Sequence, residues 1–193
     1  MGKPGTAPVI RVRHMQENLA ALDRLEEVQV EAVLDSLGDT VALIRGSASS
    51  SWMPVEVDVE VTEAVGAICG EDAVHRWSRR ALELSLGGPL LRGIVQGALR
   101  MVGRDPRRIV KFVPRGIAGV YRNCGSWSSA ETGDGFVDLH WSRVPKVVFD
   151  SPMSRHGFAG AFVAVLDVAD VEGTVEVSEG DGALTFSVRW SAR

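Results

Sequence analysis

The second half of the chain carries the pattern that most restricts its fold. Apolar and polar residues alternate at 126–128, 135–141, 173–178 and 184–190, which is typical of half-buried antiparallel strands. Turn-rich links join the strands of each pair, so each pair predicts a hairpin. Between the pairs, 155–168 is apolar and rich in small residues, which predicts a helix that lies close against the sheet. The predicted order is therefore β-β-α-β-β.

The first half of the chain has helical periodicity, with apolar residues three and four positions apart from about 14 to 121. The valines of 55–65 alternate with acids, as in a strand, but they also form a helical face, and we favour a helix. We interpret 145–149 as an extended link. The fold class is α+β: an N-terminal helical layer followed by an antiparallel β-β-α-β-β sheet with a crossing helix.

The length of 193 residues is that of one domain. We expect a flexible tail over 1–8 and a single α+β domain over 9–193, with a helical part at about 14–121 and a sheet part at about 122–190. No apolar run approaches the roughly 20 residues that a transmembrane helix needs. No secretory signal is evident, and two cysteines cannot build a disulfide framework, so we expect a cytoplasmic protein.

The charges are distributed unevenly along the chain. Residues 76–122 contain eleven basic and two acidic residues, whereas the net charge of the whole chain is −4. We define the basic patch as the five cations at the centre of this band: Arg100, Arg104, Arg107, Arg108 and Lys111. The patch suits an acidic surface of this chain or of a second subunit, an anionic membrane surface, or nucleic acid. We favour the first and consider nucleic acid the least supported, because no recognition motif accompanies the charge.

Four segments carry a resemblance to known families: 52–54 (Trp-Met-Pro), 70–71 (Gly-Glu), 121–125 (Tyr-Arg-Asn-Cys-Gly) and the glycine-bearing helix at 157–160. Together with the order of elements, they resemble a paralogous family of unknown function and similar length that is expanded in myxobacteria. The chain also resembles a broader ligand-binding fold, which includes 4-vinyl-reductase-type domains, haem–nitric-oxide-binding domains and subunits of the TRAPP trafficking complex. This resemblance implies a cavity between the helical layer and the sheet, an apolar or lipid-like ligand, and frequent dimerisation. It does not imply an enzyme, because one fold serves many functions.

The same resemblance makes His75 the residue to test for haem, since a helical histidine holds the iron in the haem-binding relatives. Those relatives also carry a Tyr-x-Ser-x-Arg motif for the haem propionates, which 121–125 does not match. We therefore expect no cofactor and keep haem ligation by His75 as the alternative.

Other catalytic or metal chemistry has little support in the sequence. The cysteines and histidines lack the short paired spacings of a zinc site, so no metal is expected. Cys124 begins a Cys-Gly-Ser-Trp segment that is superficially similar to the papain-type nucleophile signature. The second cysteine of that signature is missing, and we favour Cys124 as a small buried residue. No other catalytic motif is found, and we expect a protein that is not an enzyme.

If a ligand pocket exists, aromatic and aliphatic side chains of the predicted helices should line it. The candidates for this pocket are Trp77, Leu91, Val95, Leu99, Phe112, Tyr121, Phe158 and Phe162. We expect a homodimeric cytoplasmic domain that binds an apolar small molecule or lipid and signals through dimer or partner contacts. The alternative is a ligand-free protein–protein scaffold that assembles through complementary basic (76–122) and acidic surfaces.

Overall fold

The structure is a computed structural model that describes residues 7–89, 91–133 and 135–191. Its helices are α1 (Val12–Ala20), α2 (Glu27–Leu37), α3 (Asp39–Gly46), α4 (Glu56–Cys69), α5 (Glu71–Gly87), α6 (Arg92–Val102), α7 (Pro106–Lys111), α8 (Val113–Val120), α9 (Lys146–Phe149) and α10 (Pro152–Val168). Its strands are β1 (Val9–Arg11), β2 (Trp52–Pro54), β3 (Tyr121–Arg122), β4 (Ser126–Gly133), β5 (Phe136–Ser142), β6 (Gly173–Gly180) and β7 (Ala183–Trp190). Among the described residues, no helix is long and apolar enough to cross a membrane.

The C-terminal strands form one four-stranded sheet in the order β4-β5-β7-β6, and every neighbouring pair is antiparallel. Trp127 pairs with Trp141 across the first hairpin, and Val177 pairs with Phe186 across the second. The two hairpins meet through β5 and β7, where Leu139 lies opposite Phe186. The predicted α+β class and the β-β-α-β-β order are confirmed.

A second, small sheet joins distant parts of the chain in the order β2-β1-β3. The sequence analysis did not predict this sheet, because strands of two or three residues are too short to show periodicity. Trp52 of β2 lies between two guanidinium groups: Arg11 of β1 is 3.8 Å and Arg122 of β3 is 4.1 Å from its ring centre. These cation–π contacts stabilise the small sheet on its outer face.

The helix α10 packs on the sheet, as expected, but its glycines lie against α5 and not against the strands. A β-carbon on Gly160 would lie 2.2 Å from the backbone oxygen of His75, and one on Gly157 would lie 3.2 Å from the Ser78 hydroxyl. The two helices are also joined on the outside by Arg79, which donates two hydrogen bonds of 2.7 and 2.8 Å to Asp167. The glycines therefore allow contact between two helix backbones.

One of the two ambiguous segments forms a different element from the one that the sequence analysis predicted. The segment of alternating valines forms α4, as expected, whereas 145–149 forms the short helix α9 rather than an extended link. Pro152 takes the first turn of α10, and the hydroxyl of Ser151 caps the helix by accepting from the Ser154 backbone.

A cluster of aromatic rings fills the space between the sheet and α10. Trp127 stacks on Trp141 at 4.5 Å between ring centres, and Phe162 of α10 meets Phe186 of β7 edge-to-face at 5.0 Å. Phe158 lies 4.8 Å from Trp141 on the same side. Contacts of this kind fix the angle of α10 across the strands.

We expect Gly160→Ala to destabilise the fold by about 3 kcal/mol, because the new methyl group would overlap the α5 backbone. Gly97→Ala is the matched control: Gly97 is also helical, and a β-carbon there meets no atom within 4 Å. The control should gain about 0.5–1 kcal/mol through helix propensity. Chemical denaturation checks both values, and equal effects of the two substitutions would contradict the close contact.

Candidate functional site

A cavity of about 150 Å³, partly open to solvent, lies among the helices. Its described apolar lining comes from five parts of the chain: Trp77, Ala81, Leu82 and Leu86 (α5), Leu91, Ile94, Val95, Ala98 and Leu99 (α6 and the residue before it), Ile109 and Phe112 (α7 and its end), Val113, Gly116, Ile117 and Val120 (α8), and Gly157, Phe158, Ala161, Phe162, Val165 and Val168 (α10). Its polar lining groups are His14, Asn18, Asp58, Thr62, Ser78, Tyr121 and Ser154. Apolar side chains thus form most of the wall.

The eight residues that the sequence analysis named for a pocket all line this cavity: Trp77, Leu91, Val95, Leu99, Phe112, Tyr121, Phe158 and Phe162. Whether they contact a ligand stays a prediction. The expected position of the cavity, between the helical layer and the sheet, is wrong. No residue of β4–β7 is among its described lining, because α10 lies between the cavity and the strands.

The polar end of the cavity is built around Asp58 of α4. The hydroxyl of Tyr121 donates to Asp58 Oδ2 at 2.8 Å, and the amide of Asn18 donates to Asp58 Oδ1 at 3.0 Å. Asn18 is only 3% exposed, and its own Oδ1 has no hydrogen-bond partner. The small sheet places Tyr121 here. Tyr121 pairs with Ile10 of β1, and β1 leads directly into α1, the helix that carries Asn18.

His14 adds an imidazole to this polar end, one helical turn before Asn18. Its Nδ1 lies 2.8 Å from the hydroxyl of Ser85, and Ser85 donates to the buried carboxylate of Glu17. Arg13 donates to the other oxygen of Glu17 at 3.0 Å. Since the Ser85 proton is directed at Glu17, His14 must donate from Nδ1, which leaves Nε2 as an acceptor.

Burial shifts the two titratable groups of the polar end in opposite directions. It raises the pKa of Asp58 to about 6, an effect that the hydrogen bonds from Tyr121 and Asn18 reduce. It lowers the pKa of His14 to about 4. Both shifts favour the uncharged form, as expected for groups withdrawn from water. At neutral pH the imidazole is therefore uncharged and the carboxylate is ionised.

The sequence analysis named Tyr121 for the pocket but missed the groups around it at the polar end: Asp58, Asn18 and His14. Asp58 belongs to a run in which acids alternate with valines, and such acids are usually solvent-exposed. On a helix, however, residues seven positions apart share a face, so Asp58 lies on the face of the buried Val65. This shared face with a buried valine was the signal in the sequence that could have identified Asp58. His14 and Asn18 gave none, because their partners are 40 or more residues away.

The other candidates for chemistry lie away from the cavity. His75 is half-buried on α5 beside Arg79 and is absent from the described lining. Cys124 is buried, as we favoured, and burial raises the pKa of its thiol to about 11, so it is a poor nucleophile. Within the described part of the chain, no group of three or more His, Cys, Asp or Glu side chains could hold a metal ion.

The basic patch is partly neutralised within the chain. Arg104 lies 3.5 Å from Asp170, and Arg108 lies 3.4 Å from Asp105. Arg107, Arg108 and Lys111 share the short helix α7, whereas Arg100 is exposed in the last turn of α6. Whether the five cations act as one surface stays a prediction, and the ion pairs with Asp170 and Asp105 reduce the charge that they offer to a partner.

No protein-family model matches this chain, and no curated protein does. Solved structures are similar to it in fold. An Fe(II) unliganded H-NOX protein from K. algicida aligns with a TM-score of 0.61 and 8% identity, over 95% of this chain and 98% of that one. An oxygen-binding H-NOX domain related to soluble guanylate cyclases aligns with a TM-score of 0.62 and 10% identity, over 95% of this chain and 96% of that one. An H-NOX protein from S. oneidensis in the Fe(II)NO ligation state aligns with a TM-score of 0.63 and 8% identity, over 95% of this chain and 100% of that one.

These similarities show the fold alone, because the identities are low. They confirm the haem–nitric-oxide-binding-like fold that the resemblance implied. The kinship to a myxobacterial family stays a prediction.

The residues of the cavity do not fit a haem group. Its described lining contains no lysine or arginine to pair with propionates, and its one carboxylate, Asp58, would repel them. The lining imidazole, His14, sits at this same acidic end, and His75 is not part of the described lining. The fold is therefore similar to that of haem proteins, whereas the polar groups of this cavity do not suit haem.

We expect haemin added to the purified protein to give no sharp Soret band, because the described cavity offers no cationic group to the propionates. An absorbance titration checks this outcome, with His14→Ala and His75→Ala as comparison variants. A sharp band in the wild-type protein that one of these substitutions abolishes would show that haem binds after all.

We expect Asp58→Asn and His14→Gln to change the pH dependence of stability with opposite signs. The raised pKa of Asp58 makes the folded state lose stability as pH rises from about 4 to about 6. The lowered pKa of His14 makes it gain stability from about 4 to about 6.5. Each effect is worth about 3 kcal/mol, so they nearly cancel in the wild-type protein.

Urea unfolding between pH 4 and 7 tests this balance. Relative to wild type, Asp58→Asn should gain stability as pH rises, and His14→Gln should lose it. Glu60→Gln, at an exposed position on the same helix, is the matched control and should follow the wild-type curve. Parallel curves for all four proteins would show that the two buried groups do not titrate as described.

Proposed function

We propose that this chain is a non-enzymatic, cytoplasmic sensory domain that binds a small apolar molecule in this cavity. The observation that carries the proposal is the cavity itself: about 150 Å³, walled largely by aliphatic and aromatic side chains. Well-packed interiors rarely leave such a space. The fold neighbours support a small ligand, since those structures include an oxygen complex and an Fe(II)NO state. The volume favours a compact molecule over a long lipid chain.

The wall formed by α6 and α8 is the part that a ligand would affect most. Ala98 is the one α6 residue that is fully buried among those described, while Ile94 is 39% and Met101 is 70% exposed. A ligand in the cavity would add contacts to the inner side of this wall. A ligand shifts a conformational equilibrium only if it binds one state more tightly than the other. These contacts would therefore favour the state in which α6 packs closely over the cavity. We propose that a homodimer or a protein partner recognises that change on the outer surface.

The arrangement of polar groups supports a role without catalysis. In a nucleophilic triad, the imidazole bonds the serine and is itself oriented by a carboxylate. Here Ser85 lies between His14 and Glu17, so the serine proton is held by the carboxylate and the hydroxyl is fully buried. No described lining residue has the geometry of an activated nucleophile.

The ligand-free scaffold remains the alternative, and the uneven charge along the chain is what favours it. The ion pairs of Arg104 with Asp170 and of Arg79 with Asp167 weaken that argument, since they use basic-band charges inside one chain. A scaffold also gives no reason for an apolar cavity. Ligand binding therefore explains more of the structure.

We expect the wild-type protein to bind one molecule of toluene, and Ala161→Leu to weaken this binding about tenfold or more by filling the cavity. The matched control is Ala118→Leu, the same substitution at an exposed position of α8 that is not part of the lining. Calorimetry gives the affinity. Hydrogen exchange should show slower exchange in α6 when toluene is bound. No binding, or equal binding by both variants, would contradict a cavity site.

A further inference from the structure

The polar end of the cavity has unfilled hydrogen-bond acceptors and almost no free donors. A carboxylate offers about four acceptor positions, and Asp58 uses two of them for Tyr121 and Asn18. Asn18 Oδ1 is buried without a partner. An unpartnered buried acceptor is costly, and together with the open positions on Asp58 it leaves this end of the cavity short of hydrogen-bond donors.

His14 adds another unfilled hydrogen-bond acceptor at this end of the cavity. Its Nδ1 proton is engaged with Ser85, so Nε2 carries a lone pair. Its ring lies 6.3 Å from the ring of Tyr121, centre to centre, which places the imidazole beside the Asp58 cluster. The side-chain protons of Tyr121 and Asn18 that the structure assigns are directed at Asp58 or at the Met15 sulfur. The hydroxyls of Ser78 and Ser154 can act either way.

The charge at this end is negative and has no counter-charge in the described lining. Asp58 is the single acidic residue among the described lining residues, which include no lysine or arginine. His14 is uncharged at neutral pH, because burial lowers its pKa to about 4. A ligand that fits must therefore bring hydrogen-bond donors and is favoured if it brings positive charge.

We infer that the ligand is a small apolar amine, bound as its ammonium ion with the nitrogen at Asp58 and the apolar body between α5, α6 and α10. This inference rests on the proposed function and names the ligand class for the same cavity. Asp58 is half-buried at the end of the cavity, and its carboxylate keeps acceptor positions open beside Tyr121 and Asn18. An arriving ammonium would gain a charge-assisted hydrogen bond there.

The size of the cavity limits the apolar part of the amine. A cavity of roughly 150 Å³ in a protein interior accepts benzene. One substituted ring is thus a suitable body, and aromatic side chains such as Phe158 and Phe112 would contact it. Thr62, one turn after Asp58 on α4, and Ser78 of α5 also line the cavity.

Four probes of nearly equal shape separate the alternatives: benzylammonium, benzyl alcohol, toluene and benzoate. Calorimetry at pH 7.5 should show benzylammonium binding about tenfold or more tightly than benzyl alcohol or toluene, as expected for a charge-assisted hydrogen bond. Benzoate should bind most weakly, because its carboxylate would face Asp58. Equal affinities for the amine and the alcohol, or a preference for benzoate, would overturn the inference.

The variant Asp58→Asn should lose about tenfold or more in affinity for benzylammonium while its toluene affinity changes less than about threefold. Glu60→Gln removes a carboxylate two positions away on the exposed side of α4 and should leave both affinities unchanged. An unchanged amine affinity in Asp58→Asn would also overturn the inference.

A measurement on the wild-type protein keeps the inference testable if Asp58→Asn does not fold. Benzylammonium stays protonated between pH 5 and 8, so its affinity should fall as Asp58 takes up a proton below about pH 6. Toluene affinity should stay flat over the same range. If toluene binds without any amine preference, the ligand class is wrong and the proposed cavity function stands. If no probe binds, the proposed function itself fails.

Discussion

The contact between α5 and α10 determines where every other part of this molecule lies. Gly160 brings the backbone of α10 to the backbone of α5 at His75, with no side chain between them. Leu166 of this helix pair meets the sheet, Trp77 lines the cavity, and the rings of Phe158 and Phe162 contact both. Because the two helices share one fixed interface, the sheet and the cavity cannot move independently.

Two titratable side chains, Asp58 and His14, lie at one end of the largely apolar cavity. Asp58 and His14 are each half-buried, and each is held by partners that are far away in sequence. Buried ionisable groups in a cavity more often serve function than stability. The oppositely directed pKa shifts also mean that neither group dominates the acid stability of the chain.

Much of the fold followed from periodicity, whereas the site depended on contacts that no local pattern encodes. The alternation in β5 and β7 and the apolar run in α10 were strong enough to predict a sheet crossed by a helix. The pocket-lining aromatic residues were predictable because large apolar residues on helix faces are few. Asp58, Asn18 and His14 were not, since their significance arises only when α1, α4 and β3 come together. The error over α10 has a similar origin: small residues show that something lies close, but not which element.

The small sheet has a consequence for how occupancy of the cavity could be communicated outward. Strand β1 runs directly into the helix that carries His14 and Asn18, and strand β3 begins with Tyr121. Both strands therefore connect by covalent bonds to residues around the carboxylate. Trp52 is clamped on the outer face of these strands between Arg11 and Arg122. One layer of backbone thus separates the residues around Asp58 from Trp52, so a long relay across the molecule is unnecessary.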